Sequence, residues 1–296
     1  MRDDGILILG ADDVGALLNG REEEVMVTVS QAYRAHGAGQ SSLPQSTFLR
    51  FPGDEASRII ALPAFLGDGF QVAGMKWIAS FPGNLERDMA RASAVIVLNS
   101  CDTGRPEAIL EGSLISARRT AASAALAART FLGRPPEAAG FIGAGLINGE
   151  ILRFLAVALP GIRRLSVLDL DTARAARFAA EARAILDLEK TEVAPSLDAV
   201  LRSCPLVSFA TTAVRPHVAD LSACPPGALI LHVSLRDLAP QAILACDNVV
   251  DDVDHVCRLR PRSTSPSNSR ARAASSAVPW RRSWRERLPP ARTRAW

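Results

Sequence analysis

The sequence predicts an α/β protein: a Rossmann-type, doubly wound parallel sheet preceded by an N-terminal α+β domain. Residues 138–150, AAGFIGAGLINGE, read as a strand, a glycine turn and a helix start in immediate succession. Residues 165–171, LSVLDLD, hold the next strand and supply Asp169 at its end, 24 residues beyond Gly145. From there apolar runs alternate with helical spacings, which is the signature of βαβ units and a parallel sheet.

The glycine turn is the most specific of these signals. Gly143 lets the chain turn sharply after the strand, and Gly145 carries no side chain to keep a pyrophosphate from the N–H groups of Ala144, Gly145 and the helix start. Asp169 is then placed to accept from the adenosine ribose hydroxyls, which favours NAD over NADP, since a 2′-phosphate would meet its charge. Arg174, the nearest basic candidate, lies farther along. Asn148 stands where the fingerprint has its third glycine, with Gly149 one residue late, so helix and strand are expected to pack slightly less closely there.

The 296 residues, 48% hydrophobic and 22% charged, suffice for one large core or two ordinary ones. No apolar run is long enough to span a bilayer, and MRDDG lacks a signal peptide's basic-then-apolar start, so a cytoplasmic address is expected. Five cysteines (Cys101, Cys204, Cys224, Cys246, Cys257) form no CxxC pair, which argues for reduced thiols with neither metal nor disulfide. Ten of the arginines fall in residues 259–296 against Glu286 alone, a local net charge of +9, leaving −6 of the total +3 for the preceding residues. Lacking apolar periodicity and a nucleic-acid motif, this tail reads as disordered rather than as a nucleic-acid arm.

Residues 5–9 read as a strand, followed by GADDVG at 10–15, which imitates a nucleotide loop. No acid-ended second strand follows it, and Asp12 is expected to cap a helix starting near Val14. Helical spacing resumes at 25–33. Strand-like runs at 59–66, 72–81 and 94–98 without intervening helices imply a mixed or antiparallel sheet, and 116–132 is an alanine-rich helix joining it to the second domain. Strands are then expected near Gly140, Leu165, Leu206, Ala228 and Asn248, with helices at 147–157, 172–185 and 197–201. The expected division is a substrate-binding and dimerisation domain at 1–130, an NAD-binding domain at 131–258 and the tail at 259–296.

Ligands of such sheets lie at the carboxyl ends of strands, which selects Thr211 and Thr212 after LVSFA and Ser234 to Asp237 after LILHV as loops facing the nicotinamide. Asp237 could there act on a proton or on water; its bland alternative is to cap the helix after Pro240. Lys76 is one of only two lysines and sits in the apolar run VAGMKWIASF, where desolvation lowers its pKa and suits it to proton transfer or carboxylate binding; the alternative is a strand-edge lysine extending its head into water. Arg119 and Thr120, at the opening of the alanine-rich helix, could join N–H groups in holding a carboxylate or phosphate, with a solvated helix arginine as the equal alternative for Arg119. Glu111 either pairs with one of these arginines or ends a strand. His36, His217, His232 and His255 are scattered and read as packed or exposed, and Asp251, Asp252 and Asp254 as a solvated turn.

GMKW at 74–77, SFPGN at 80–84, GRP at 104–106, RTAA at 119–122 and GAG at 143–145 occur in the order found in the ornithine cyclodeaminase/mu-crystallin family, which the chain resembles over residues 5–258. MKWIASFPGN at 75–84, RASAVIVLN at 91–99 and VDDVDHVC at 250–257 resemble a narrower NAD-dependent group that cleaves N-(2-amino-2-carboxyethyl)-L-glutamate to 2,3-diaminopropionate and 2-oxoglutarate, for siderophores and peptide antibiotics. The resemblance implies a homodimer acting on a small amino-acid substrate, with a pyridoxal-phosphate-dependent synthase as pathway partner. It implies Lys76 as a substrate lysine, Arg119 as the arginine reaching substrate carboxylate and cofactor, and Asp237 as the acid/base. The cofactor set then comprises Arg119, Thr120, Gly143, Ala144, Gly145, Asn148, Asp169, Thr211 and Ser234. The family's earlier substrate arginine is missing from PQS at 44–46, with Arg50 a replacement. After Arg258 the chain leaves the family pattern for a stretch resembling a shifted reading frame of high-GC DNA. The same resemblance leaves an ornithine cyclodeaminase-type enzyme, or a non-catalytic nucleotide or small-ligand binder, as alternatives.

Overall fold

The computed structural model describes residues 5–252. The tail at 259–296, Asp254, His255 and Cys257 lie outside them. The chain divides into two compact units at Ala239/Pro240, and the first holds both sheets.

The first sheet is mixed and seven-stranded. Its strands are β1 (Leu7–Leu9), β2 (Ser41–Ser42), β3 (Thr47–Phe51), β4 (Asp54–Leu66), β5 (Val72–Ser80), β6 (Ala92–Asn99) and β7 (Pro106–Glu111). Their order is β1-β7-β6-β5-β4-β2, with β3 also on β4. The long antiparallel β4–β5–β6 core follows from runs such as RIIALPAFL and ASAVIVLN, rich in β-branched and aliphatic residues. β3 and the polar first half of β4, DEAS, give little apolar signal and were not expected. Between β1 and β2 run α1 (Ala11–Leu18) and α2 (Glu22–Gly37). Gly10, not Asp12, is the N-cap of α1, and Asp13 reaches back to accept from the Gly10 N–H at 2.9 Å. A carboxylate at the third helical position meets that N–H directly, whereas one at the second does not.

The 19-residue α3 (Ser113–Phe131) leads to the second sheet and packs against α4, α2 and β6. Eight of its residues are buried, six of them alanines, so neighbouring helices approach closely. The second sheet is fully parallel in the order β10-β9-β8-β11-β12. Its strands are β8 (Ala138–Ile142), β9 (Arg164–Leu168), β10 (Lys190–Val193), β11 (Leu206–Phe209) and β12 (Leu229–His232), with α4 (Leu146–Ala158), α5 (Thr172–Ile185) and α6 (Leu197–Ser203) as crossovers. This is the doubly wound arrangement, with strand order reversing beside the central β8. Two expectations fail. β10, KTEV, is a polar edge strand that apolar pattern does not reveal, and no strand forms near Asn248, whose side-chain amide instead closes a local turn on Ile243 O and Cys246 O. The second unit's described part is the short α7 (Pro240–Leu244) and the segment that follows. No helix of the described residues is long and apolar enough to cross a membrane.

A candidate active site at the carboxyl ends of the parallel strands

The glycine turn forms as its sequence requires. Gly143 has φ of +88°, and a Cβ there would lie 2.6 Å from the Ala210 carbonyl oxygen, so both backbone conformation and the adjacent β11 demand glycine. Gly145 is the N-cap of α4, makes no side-chain cap, and has open space where a Cβ would be. The first N–H groups of α4 have no intrahelical acceptors and meet that open space. A pyrophosphate fits such a cradle.

Asp169 lies just beyond β9, against the turn. Its carboxylate accepts from the Ala144 N–H at 2.7 Å, the Asp171 N–H at 2.9 Å and the Arg174 guanidinium at 2.7 and 3.2 Å. Burial pushes its pKa up, but these donors together hold it below the usual carboxylate range. Arg174 is therefore on the acid, not farther along as the sequence suggested. One turn of α5 brings it back, because the helix starts right after the strand. The four lone-pair positions of the carboxylate are thereby filled, so a ribose diol binds only by displacing Arg174.

Asn148 also departs from expectation. It is fully buried, donates to Ile142 O at 3.0 Å and Gly143 O at 2.5 Å, and accepts from Ser208 Oγ at 2.7 Å. Its amide is spent on the protein, so it braces the turn from below instead of touching a cofactor. The absent third glycine is replaced by a polar bracket.

At the ends of β11 and β12 the second constellation assembles around Asp237, whose side chain is completely buried. One carboxylate oxygen accepts from Thr211 Oγ1 and the other from Ser234 Oγ. Both residues were expected on the cofactor; their hydroxyls are instead turned onto Asp237. Thr211 Cγ2 would lie 3.3 Å from a Cβ on Gly143, so the acid and the glycine turn share one wall. His232, the last residue of β12, accepts with Nε2 from the Asp237 N–H at 3.2 Å and lies 3.7 Å from its carboxylate. Burial lowers the His232 pKa while Asp237 opposes this, consistent with a neutral ring protonated on Nδ1. His217 Nε2 lies 3.9 Å from the other oxygen. Sequence reading set both histidines aside; position at a strand's carboxyl end was the available signal for His232. Leu235, between Ser234 and Asp237, holds φ of +64°, a strained conformation for a branched residue and a mark of a loop shaped for a purpose.

The third group comes from the first sheet. Lys76 projects from β5 towards α3, its Nζ donating to Ser116 Oγ at 3.1 Å. Burial, with the neighbouring Arg119 charge, lowers its pKa from 10.5 to about 8. The sequence-predicted Lys76 and Arg119 are thus brought together. Arg119 does not open its helix: α3 starts at Ser113, and its first N–H groups are capped by Glu111, whose carboxylate accepts from Ser113 N at 2.5 Å and Leu114 N at 3.0 Å. Thr120 likewise spends its hydroxyl on Ser116 O, one turn back in its own helix, at 2.8 Å. The adjacent Arg118 turns inward, where it meets Glu150 of α4 at 3.4 Å and the Leu18 carbonyl oxygen. Arg50 stands on β3, its guanidinium 5.6 Å from the Phe48 ring centroid.

Residues 7–244 match the ornithine cyclodeaminase/mu-crystallin family. The chain belongs to that family. It is 30% identical over 254 residues to N-((2S)-2-amino-2-carboxyethyl)-L-glutamate dehydrogenase of Staphylococcus aureus (strain NCTC 8325 / PS 47), covering 83% of this chain and 74% of that one. Among solved structures it is similar to Thermococcus litoralis Δ1-pyrroline-2-carboxylate reductase in complex with NADH and L-proline, with a TM-score of 0.74, 25% identity, and coverage of 81% of this chain and 73% of the other. An archaeal alanine dehydrogenase dimer with bound NAD is similar at a TM-score of 0.67 and 28% identity, covering 76% of this chain and 66% of that one.

Proposed function

We propose that this protein oxidises N-(2-amino-2-carboxyethyl)-L-glutamate, giving 2,3-diaminopropionate and 2-oxoglutarate. The coarser statement rests on family and fold: the chain is an NAD-dependent oxidoreductase. The observation that supports the finer reading is a fully buried carboxylate, Asp237, sharing a wall with the dinucleotide turn.

NAD, when bound, supplies the hydride acceptor, and the Gly143 turn, the start of α4 and Asp169 are the residues that would hold it. Hydride leaves the glutamate α-carbon, the secondary amine becomes an imine, and water adds to the imine carbon before the carbon–nitrogen bond breaks to ketone and primary amine. Asp237 accepts the proton of that water and returns it to the departing nitrogen. Thr211 and Ser234 hold its two oxygens in one orientation. Lys76 and Arg119 bind the α-carboxylate, with Arg50 as a further anchor, so that the α-carbon is presented in a single pose. The division into a substrate domain at 1–130 and a cofactor domain at 131–258, homodimerisation and supply of the substrate by a pyridoxal-phosphate-dependent synthase belong to the same proposal.

Incubation of the full chain with NAD and this substrate, followed by NADH absorbance, tests the reading. Stoichiometric NADH and 2-oxoglutarate support it. Ornithine converted to proline with no net NADH would replace it with a cyclodeaminase.

A further inference from the structure

Arg50 and Arg58 are paired directly across β3 and β4, and Arg58 is in turn paired with Ser80 of β5. Directly opposed residues of antiparallel strands share a face, so both arginines stand on the face that carries Lys76. Lys76 to Ser80 is four residues of strand, about 13 Å at ~3.3 Å per residue. Arg91 lies just ahead of β6, its carbonyl accepting from the Phe81 N–H, and its Nε is buried without a hydrogen-bond partner. Arg236 belongs to the strained loop and immediately precedes Asp237.

Three of these cations act on the fourth, Arg58. The Arg58 pKa is lowered by burial and then by Arg236, Arg91 and Arg50, with no acidic group among the causes. Among the described residues none of the four forms an ion pair with a carboxylate. Directly opposed like charges destabilise a sheet, yet Arg50 and Arg58 stand opposite one another here. An arginine cluster without an acid is a site for an anion, and planar guanidinium groups suit carboxylates.

We infer that Arg58, Arg91 and Arg236 form a second carboxylate-binding pole, which selects substrates bearing a carboxylate beyond the one held by Lys76 and Arg119. The ligand class is an extended di- or tricarboxylic amino acid, and cationic or monocarboxylic amino acids are disfavoured. The inference deepens the reading proposed above and rests on it for the placement of the first carboxylate.

The test uses the full chain with Arg58→Gln and Arg236→Gln, which remove one charge each from different elements. With N-(2-amino-2-carboxyethyl)-L-glutamate, each raises KM roughly 10- to 100-fold, the range expected for losing a charged hydrogen bond, while lowering kcat far less. Arg58→Lys restores part of the loss. In parallel, calorimetric titration of the NADH-loaded protein with L-glutamate, L-alanine and L-ornithine gives tightest binding for L-glutamate, and that preference disappears in both glutamine variants. Turnover with unchanged KM in both variants would overturn the inference and leave the proposed reaction standing. No turnover, yet an Arg58-dependent preference for L-glutamate, would overturn the reaction and leave the carboxylate pole standing. Equal binding of L-glutamate and L-ornithine by the wild-type protein overturns the pole outright.

Discussion

The two sheets solve opposite problems. Every residue of β8 and β11 is buried, whereas β3 is exposed at four of its five positions and β1 at two of three. The parallel sheet, covered on both faces by helices, is an apolar scaffold that delivers backbone and a few polar groups to one edge. The mixed sheet has one face turned towards α3 and loaded with Lys76, Arg58 and Arg50, and another exposing Trp77, Val95 and Leu49. In the proposed mechanism the parallel sheet supplies the cofactor geometry and the acid, while the mixed sheet supplies Lys76, Arg50 and Arg58, joined by Arg119 of α3 and by Arg236 from the parallel sheet's loop. The exposed apolar residues of the mixed sheet suit the homodimer proposed above.

The largest expected effect probes the parallel sheet's edge. Asp237→Asn keeps the shape but removes the base, and kcat should fall about 10³-fold, measured as steady-state NADH formation. A change in KM alone would move the chemistry away from this loop. Next is the seam between the regions, where Arg118 and Glu150 form a buried pair with side chains only 9% exposed. Glu150→Ala leaves Arg118 uncompensated and should cost about 3 kcal/mol in urea denaturation.

Lys76 sharpens the contrast further. Its folded pKa, about 8, lies below its ordinary 10.5, so its stabilising contribution is complete only above 10.5 and is lost as pH falls through 8. At pH 7 the charged lysine is a liability to the ligand-free fold, and Lys76→Met should raise stability by roughly 1–3 kcal/mol while abolishing measurable turnover. In the proposed mechanism the charged form binds carboxylate, so wild-type kcat/KM should decline as pH rises past about 8. The smallest effect concerns the cofactor edge. Arg174 is half exposed on Asp169, and Arg174→Ala should tighten NADH binding by no more than about 5-fold, the scale of one surface ion pair, as read by fluorescence titration.

Much of the parallel sheet was legible because a buried strand needs a continuous apolar run and a dinucleotide turn needs glycine, and both are local requirements. Gly143, Asp169 and the isolated Lys76 could be singled out on that basis. Asn148, Thr120, Thr211 and Ser234 were assigned outward roles, yet the Thr120 hydroxyl is satisfied one turn back in its own helix and the other three polar groups by partners that the folded turn and loops bring to them. The strand register that aligns Arg50 with Arg58, and the loop that adds Arg236, were equally out of reach.

Taken alone, the amino-acid order determined where the chain turns, which runs are apolar enough to be buried and which rare residue types invite chemistry, since these depend on dihedral freedom and hydrophobicity over a few neighbours. Only tertiary structure decided which hydroxyls hold Asp237, which arginine occupies Asp169 and which cations face one another. Hydrogen bonds and charge interactions act over a few ångströms, and residues that close in space can be a hundred or more positions apart in the chain.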